Sequence, residues 1–205
     1  NTGSGTVSVV DAGAGQVIDT IKVETQPRGI ALNPKLGLLY VANTESNSVS
    51  VIDTRTRAVV DKIDINPQPY AMAFESAHDL VMVSLTGDGN VAVYDPVNPK
   101  AEFRAGPQPH SIAVDEALGA VYVTHWGGKT VSVNEARGLA WWDTITVGDR
   151  PYGVAVDNAA RMVYITNWGS DTVSVIDANT RKVVNTIKVG SRPAGIAVDQ
   201  PTGTV

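Results

Sequence analysis

Short runs in which apolar and polar residues alternate, or in which β-branched residues follow one another, recur along the whole chain. Between residues 58 and 94, for example, such runs occupy 58–65, 70–74, 80–84 and 90–94, and Gly, Pro, Asn and Asp fill the gaps. A period of two is typical of half-buried β-strands, and no segment carries the 3.6-residue period of a long helix. The pattern therefore predicts an all-β protein of short strands.

Two phrases repeat in the same register. The first is GTVSVVD (5–11), NSVSVID (47–53), GNVAVYD (89–95), KTVSVNE (129–135) and DTVSVID (171–177), with closing acids 42, 42, 40 and 42 residues apart. The second, P-x-x-[IMV]-A, begins at Pro27, Pro69, Pro109, Pro151 and Pro193. Four strands per period are the signature of a propeller blade. We therefore predict one β-propeller domain over residues 1–205, with four-stranded antiparallel blades and five repeats of about 42 residues.

The way in which the ring closes is left open by the repeat count. From Pro193 through both ends to Pro27 there are 39 residues, about three fewer than the repeat needs. A five-bladed ring with an imperfect latch and a segment of a six- or seven-bladed ring both remain possible.

Three stretches, LLYVANTESNSVSVID (38–53), AVYVTHWGGKTVSV (120–133) and MVYITNWGSDTVSVID (162–177), resemble the YVTN repeat of bacterial and archaeal β-propeller proteins. The third period departs from that pattern, with VMVSLTGDGNVAVYD at 81–95. The resemblance implies that the P-x-G-[IV]-A strand is innermost in each blade. On that mapping the chain starts at the third strand of a blade and ends partway into a second strand, so strands from both ends are expected to share one blade. It also implies a prokaryotic protein that is periplasmic, secreted or on the cell surface, in a family whose roles are diverse.

Composition and charge exclude several classes. A net charge of −5 argues against non-specific binding of nucleic acid, and no nucleic-acid partner is expected. The longest apolar runs are only strand-length, so no membrane span is expected. The chain has no cysteine, which excludes disulfides and cysteine nucleophiles. The glycine clusters fit hairpin turns rather than a phosphate-binding loop, and we predict no cofactor.

Candidate ligand-binding residues come from two loops that are expected on one face, around the channel mouth. The position after the repeat proline is the most variable one in its strand, and it holds Arg28, Tyr70, His110, Tyr152 and Ala194. The loop after the YVTN strand adds His125, Trp126, Asn167 and Trp168. Aromatic rings with a few polar groups suit a small organic ligand, a sugar or a peptide. The tryptophans could equally pack between blades, and the tyrosines could plug the channel.

His110 and His125 are the strongest candidates for chemistry, because both are expected on that face of one blade. A metal site needs a third ligand, and His78 is expected on the opposite face, so no metal is predicted. The repeated carboxylates Asp11, Asp53, Asp95, Glu135 and Asp177 precede turns and are expected to cap backbone N–H groups.

Three functional classes follow. The favoured one is a non-enzymatic scaffold that binds an unknown protein or small molecule at the channel mouth, and the resemblance implies that it is exported. The alternative is a lyase or hydrolase that uses His110 and His125, with or without the assistance of a metal ion, by analogy with propeller lyases and lactonases. A haem or quinone propeller shares the architecture as a third class.

Overall fold

The computed structural model describes residues 1–65, 67–94 and 99–205, without the side chains of Pro99 and Lys100; Asp95 lies outside the described residues. Eighteen strands make up the described structure: β1 (Thr6–Asp11), β2 (Gln16–Lys22), β3 (Pro27–Asn33), β4 (Leu38–Asn43), β5 (Ser48–Asp53), β6 (Ala58–Asp64), β7 (Pro69–Glu75), β8 (Leu80–Leu85), β9 (Asn90–Tyr94), β10 (Pro99–Arg104), β11 (Pro109–Asp115), β12 (Ala120–His125), β13 (Thr130–Glu135), β14 (Trp141–Thr146), β15 (Pro151–Asp157), β16 (Met162–Asn167), β17 (Thr172–Asp177) and β18 (Lys182–Lys188).

Consecutive strands pair antiparallel and form separate sheets, which we number as blades. Blade 1 is the pair β1–β2, and blades 2 to 5 are the four-stranded sheets β3–β6, β7–β10, β11–β14 and β15–β18. Each complete blade begins with a strand that starts at a repeat proline, as the sequence predicts. The prediction of an all-β propeller with four-stranded antiparallel blades is confirmed.

The hydrophobic core lies between the blades. One cluster joins Tyr40 and Val49 of blade 2 to Met72 and Leu85 of blade 3, and comparable clusters fill the other boundaries. Because a single blade has two apolar faces and no second layer of its own, burial requires a neighbour on each side.

The predicted blade shared by the two ends is not formed in this structure. Among the described residues strand β1 pairs only with β2, and residues 193–205 contain just the isolated bridge Asp199–Thr204. Only Thr204 and Val205 follow the turn at 200–203, where the complete blades have a full second strand that could pair with a strand such as β1.

Residues 193–205 instead follow blade 5 as an innermost strand would. Thr166 Oγ1 donates a hydrogen bond to the Ala194 carbonyl at 2.7 Å, and Gln200 Nε2 donates to the Val156 carbonyl at 2.7 Å. At the other end Ile30 is 55% exposed, whereas Met72, at the equivalent position in blade 3, is 9% exposed. The five repeats therefore form an arc that does not close on itself.

No helix of the described residues is long and apolar enough to cross a membrane.

Candidate functional site

One face of the arc collects the variable positions of the repeat. Strands alternate in direction, so the link before each innermost strand and the turn after each second strand emerge on the same side, which we call the mouth face. The residue before each repeat proline has a positive φ of 49–54° at Gln26, Gln68, Gln108, Arg150 and Arg192. A positive φ is uncommon for residues other than glycine. Here it recurs before each repeat proline, where a long polar residue lies at the rim of the mouth face.

The residues after the proline meet at the centre of the mouth face. The His110 ring lies between Tyr70 and Tyr152, with its centroid 4.2 Å from each. The two tyrosine hydroxyls are 3.4 Å apart, although they come from blades 3 and 5. The Arg28 guanidinium lies 5.0 Å from the Tyr70 ring centroid, which is cation–π distance. Thus Arg28, Tyr70, His110 and Tyr152 form one continuous contact chain.

Hydrogen bonds from the preceding blade hold the backbone under these side chains. Ser84 Oγ donates to the His110 carbonyl at 2.9 Å, and Thr124 Oγ1 donates to the Tyr152 carbonyl at 2.9 Å. The neighbouring blade, rather than a flexible loop, therefore fixes where each ring lies.

The two rim tryptophans extend the cluster outward. Trp126 lies 5.7 Å from His110, 5.6 Å from Tyr152 and 5.3 Å from Trp168 between ring centroids. Arg150 lies 5.9 Å from the Trp126 centroid and 5.6 Å from that of Trp168, and Arg192 lies 4.9 Å from Trp168. The sequence predicts a mouth lined with these tryptophans; the arginines that stack on them were not among its candidates.

Burial keeps His110 and Tyr70 uncharged at the centre of the mouth face. Burial, assisted by the Arg28 charge, lowers the pKa of His110 to about 4, although its Nδ1 is 3.3 Å from the Tyr152 carbonyl. Burial and the Tyr152 hydroxyl raise the pKa of Tyr70 to about 12. At neutral pH both groups are uncharged, so the positive charge of the mouth comes from arginine.

Three hollows open near the cluster, and one of them, of about 410 Å³, is lined by Arg28 and Tyr70 together with Gln26, Thr44 and Gln68. A cavity of about 180 Å³ is lined by Tyr70, His110 and Tyr152 together with residues 194–196. A wider groove of about 650 Å³ lies further out, between blades 4 and 5, and is lined by Gln108, Trp126, Gly127, Gly128, Lys129, Asp149 and Arg150. The rings close much of the channel while the rim remains open to solvent.

The structure does not bring His125 to the mouth face with His110. His125 is 1% exposed; its Nδ1 is 2.8 Å from Thr130 Oγ1, and its ring packs so closely on Gly106 that a Cβ there would lie 2.5 Å from Cε1. Burial lowers the pKa of His125 to about 4. His110 and His125, which the sequence predicts on one face of blade 4, thus lie in different surroundings.

Asn167 is likewise an interior residue and not part of the mouth surface. Its Nδ2 donates to Thr172 Oγ1 at 3.0 Å and to Ser174 Oγ at 2.9 Å, and its Oδ1 accepts from the Gly148 backbone N–H. Asn43 makes the same pair of bonds to Ser48 and Ser50. The asparagine of the repeat holds the hairpin between the second and third strands, and His125 occupies that position in blade 4.

A second regularity was missed by the sequence reasoning and concerns the boundaries between blades. At three of them a threonine hydroxyl donates to the proline carbonyl of the next blade: Thr2 to Pro27 at 3.1 Å, Thr44 to Pro69 at 2.8 Å and Thr86 to Pro109 at 3.0 Å. The residue before each of those prolines is glutamine. We call these the Thr–Gln boundaries: Thr2 with Gln26, Thr44 with Gln68, and Thr86 with Gln108.

The remaining two boundaries exchange both residues together. Trp126 and Trp168 occupy the threonine position, and Arg150 and Arg192 occupy the glutamine position; we call these the Trp–Arg boundaries. The backbone is unchanged, because Trp126 N–H donates to the Gln108 carbonyl at 3.1 Å as Thr44 N–H donates to that of Gln26 at 3.0 Å. This joint replacement could have been found by comparing the repeat columns.

The repeated carboxylates whose hydrogen bonds the structure describes cap backbone N–H groups of the turns that follow them, as predicted. Asp11 accepts from two backbone N–H groups of its turn, as does Asp53, and Asp177 accepts from the N–H and hydroxyl of Thr180. The Thr56 N–H lowers the pKa of Asp53, and the Thr180 N–H lowers that of Asp177.

His78 pairs with Glu75 in the turn between β7 and β8, on the face opposite the mouth. Among the described residues no three His, Asp or Glu side chains are grouped as a metal site.

Comparison with known families gives one match. The model of the NHL repeat matches residues 25–52, which cover β3, β4 and most of β5. No curated protein sequence matches the chain. The NHL match supports a β-propeller repeat protein, and the narrower YVTN assignment stays a prediction.

Solved structures match over almost the whole chain. Kuenenia stuttgartiensis hydrazine synthase is 16% identical, with a TM-score of 0.69 over 98% of this chain and 85% of that chain. A functionally unknown protein from Desulfotomaculum acetoxidans DSM 771 is 12% identical, with a TM-score of 0.86 over 98% of this chain and 68% of the other. A chain of the mitotic checkpoint complex is 14% identical, with a TM-score of 0.84; the match covers 98% of this chain and 64% of the other. At these identities the likeness shows the fold alone.

Proposed function

We propose that this propeller is a non-enzymatic scaffold that binds a peptide segment of a protein partner on its mouth face. The observation that carries the proposal is the continuous cluster of Tyr70, His110, Tyr152, Trp126 and Trp168, with arginines stacked against it. Rigid aromatic rings with arginine are the composition that binding hot spots favour. The NHL-repeat match also favours a role in binding proteins.

The alternative of a lyase or hydrolase gains no support from the site. It requires His110 and His125 to act on one molecule, and their side chains lie in different surroundings. His110, whose pKa is about 4, contacts rings and a backbone carbonyl, and no carboxylate in the part of the chain that the structure describes orients it as a base.

Selection of binders from a random-peptide display library tests the proposal. The mouth variant is Trp126→Thr with Trp168→Thr, because threonine is the native residue at the other three boundaries and the fold should be retained. The matched control is Trp141→Thr, since Trp141 is an exposed tryptophan on the outer strand β14. We expect enriched peptides to bind the wild type and the control alike, and to lose at least about tenfold in affinity for the mouth variant. If the enriched peptides bind the wild type, the mouth variant and the control with equal affinity, the proposal is contradicted.

We also propose that the protein is exported, because export is what the YVTN resemblance implies. Fractionation of the native host with an antibody against this chain tests it. Recovery in the periplasm, on the cell surface or in the medium is expected, and recovery in the cytoplasmic fraction alone contradicts it.

A further inference from the structure

The two Trp–Arg boundaries are consecutive, and each combines an apolar ring with an unpaired cation. Arg150 and Arg192 are exposed, and neither forms an ion pair with any residue that the structure describes. A guanidinium that stacks on an indole through its face keeps its in-plane N–H donors free. Those donors form the fork that fits a carboxylate through two parallel hydrogen bonds.

The neighbouring acids are already engaged elsewhere. Asp149 has its carboxylate 4.0 Å from Lys129 Nζ, and Asp171 accepts the backbone N–H of Arg192 at 2.8 Å. On the other side of the face, Glu45 accepts a hydrogen bond from Gln26 instead of pairing with Arg28. Within the described ranges the mouth presents three guanidiniums that form no ion pair, those of Arg28, Arg150 and Arg192, in a chain whose net charge is −5. Arg28 also donates a hydrogen bond to the Tyr70 hydroxyl at 3.4 Å.

The joint replacement points to a ligand rather than to the fold. Tryptophan at the boundary gives up the threonine hydroxyl that ties one blade to the next, a bond worth about 1 kcal/mol. Local departures from a structural rule are expected where a surface serves function. Here the departure creates a strip of alternating rings and guanidiniums beside the groove of about 650 Å³.

We propose that the two Trp–Arg boundaries bind an extended acidic peptide, whose carboxylates pair with Arg150 and Arg192 and whose apolar side chains lie on Trp126 and Trp168. This proposal rests on the proposed function and specifies its ligand. A peptide is favoured over a small carboxylate, because the two arginines lie beside two adjoining tryptophan rings and a groove of about 650 Å³, a surface that a small anion would not cover. Charge complementarity within an otherwise acidic protein selects the acidic class.

Fluorescence anisotropy with two labelled peptides tests the proposal. The probe is a short peptide of alternating glutamate and leucine, and its control has glutamine in place of every glutamate. The variant Arg150→Gln with Arg192→Gln installs the residue of the Thr–Gln boundaries, so the backbone should be unaffected. The matched control, Arg55→Gln with Arg137→Gln, removes the same charge from exposed turns on the opposite face.

We expect the wild type to bind the glutamate peptide at least about tenfold more tightly than the glutamine peptide. The rim variant should lose that preference, the opposite-face control should keep it within about twofold, and added salt should weaken it. Equal affinity for both peptides, or an unchanged preference in the rim variant, overturns the proposal. If both peptides bind equally and the Trp126→Thr, Trp168→Thr variant binds neither, the proposed preference for acidic peptides is wrong, and binding at the mouth face is still supported.

Discussion

At the three Thr–Gln boundaries a hydroxyl ties one blade to the next, whereas at the two Trp–Arg boundaries an indole and a guanidinium face solvent over the same backbone. Thr44 illustrates the first kind, through its 2.8 Å bond to the Pro69 carbonyl. Trp168 illustrates the second, with Arg150 and Arg192 on its ring. Because the backbone bonds of the turn are the same in both, the repeat can exchange a structural contact for a ring and a guanidinium without altering the fold.

The largest expected effect is a loss of stability in acid that originates in blade 4, where a Thr–Gln boundary on one side meets a Trp–Arg boundary on the other. Both buried histidines, His110 and His125, belong to blade 4. Their pKa is lowered to about 4 in the folded state, so the unfolded state binds more protons below about pH 6.5. Stability should therefore fall as the pH drops from 6.5 to 4, by up to about 3 kcal/mol for each histidine.

Urea unfolding at pH 7 and pH 5 measures that loss. The variant His125→Asn carries one buried histidine fewer, so its loss between the two pH values should be about half that of the wild type. An identical loss in the two proteins would show that His125 does not contribute.

The next effect concerns the tie at a Thr–Gln boundary. Replacing Thr44→Val keeps the side-chain shape and removes the donor to the Pro69 carbonyl, which should cost about 1–2 kcal/mol of unfolding free energy. Chemical denaturation measures the change, and Thr20→Val on the exposed strand β2 is the matched control. A loss no larger than that of the control would mean that the hydroxyl does not hold the blades together.

A gain of stability is expected from His125→Asn at pH 7. Asparagine at this position in blades 2 and 5 bonds two hydroxyls of the next strand, whereas His125 bonds only Thr130, and Ser132 Oγ has no partner among the described residues. Restoring the second bond should add up to about 1 kcal/mol. The midpoint of thermal unfolding checks this, and a lower midpoint would mean that packing of the imidazole on Gly106 matters more.

The smallest effect is the coupling within a Trp–Arg boundary. A double-mutant cycle of Trp168→Thr and Arg192→Gln should give a coupling free energy of about 0.5–1 kcal/mol, because the guanidinium lies 4.9 Å from the ring centroid. The same cycle across Thr44 and Gln68, with alanine at each, is the control and should give no coupling. Equal coupling in both cycles would remove the distinction between the two kinds of boundary.

Strand pattern, repeat length and turn capping were predictable from the sequence because they are local. The alternation of apolar residues fixes the strands, and Asp53 caps its own turn whatever the neighbouring blade does. The central cluster was predictable as well, because the residue after each proline varies while the strand around it does not. Arg28, Tyr70, His110 and Tyr152 meet as that column suggests.

The features that the sequence reasoning predicted wrongly or missed depend on contacts that cannot be recognised from the sequence of a single repeat. Asn167 and His125 are buried because the hairpin turns inward, and the available signal was a hydroxyl residue five and seven positions later, as at Thr172 and Ser174. Ring closure depends on whether Ile30 finds a neighbouring blade, which a count of residues cannot decide. The role of Arg150 emerges only when its column is compared with that of Trp126.

The indole N–H signals of the four tryptophans provide the most direct test of binding at the Trp–Arg boundaries. Trp126 and Trp168 lie on the mouth face, and Trp141 and Trp142 lie on β14 and serve as internal controls. We predict that titration with the glutamate–leucine peptide shifts the indole signals of Trp126 and Trp168 and leaves those of Trp141 and Trp142 unchanged. Shifts confined to Trp141 and Trp142, or no shift at saturating peptide, would contradict the account.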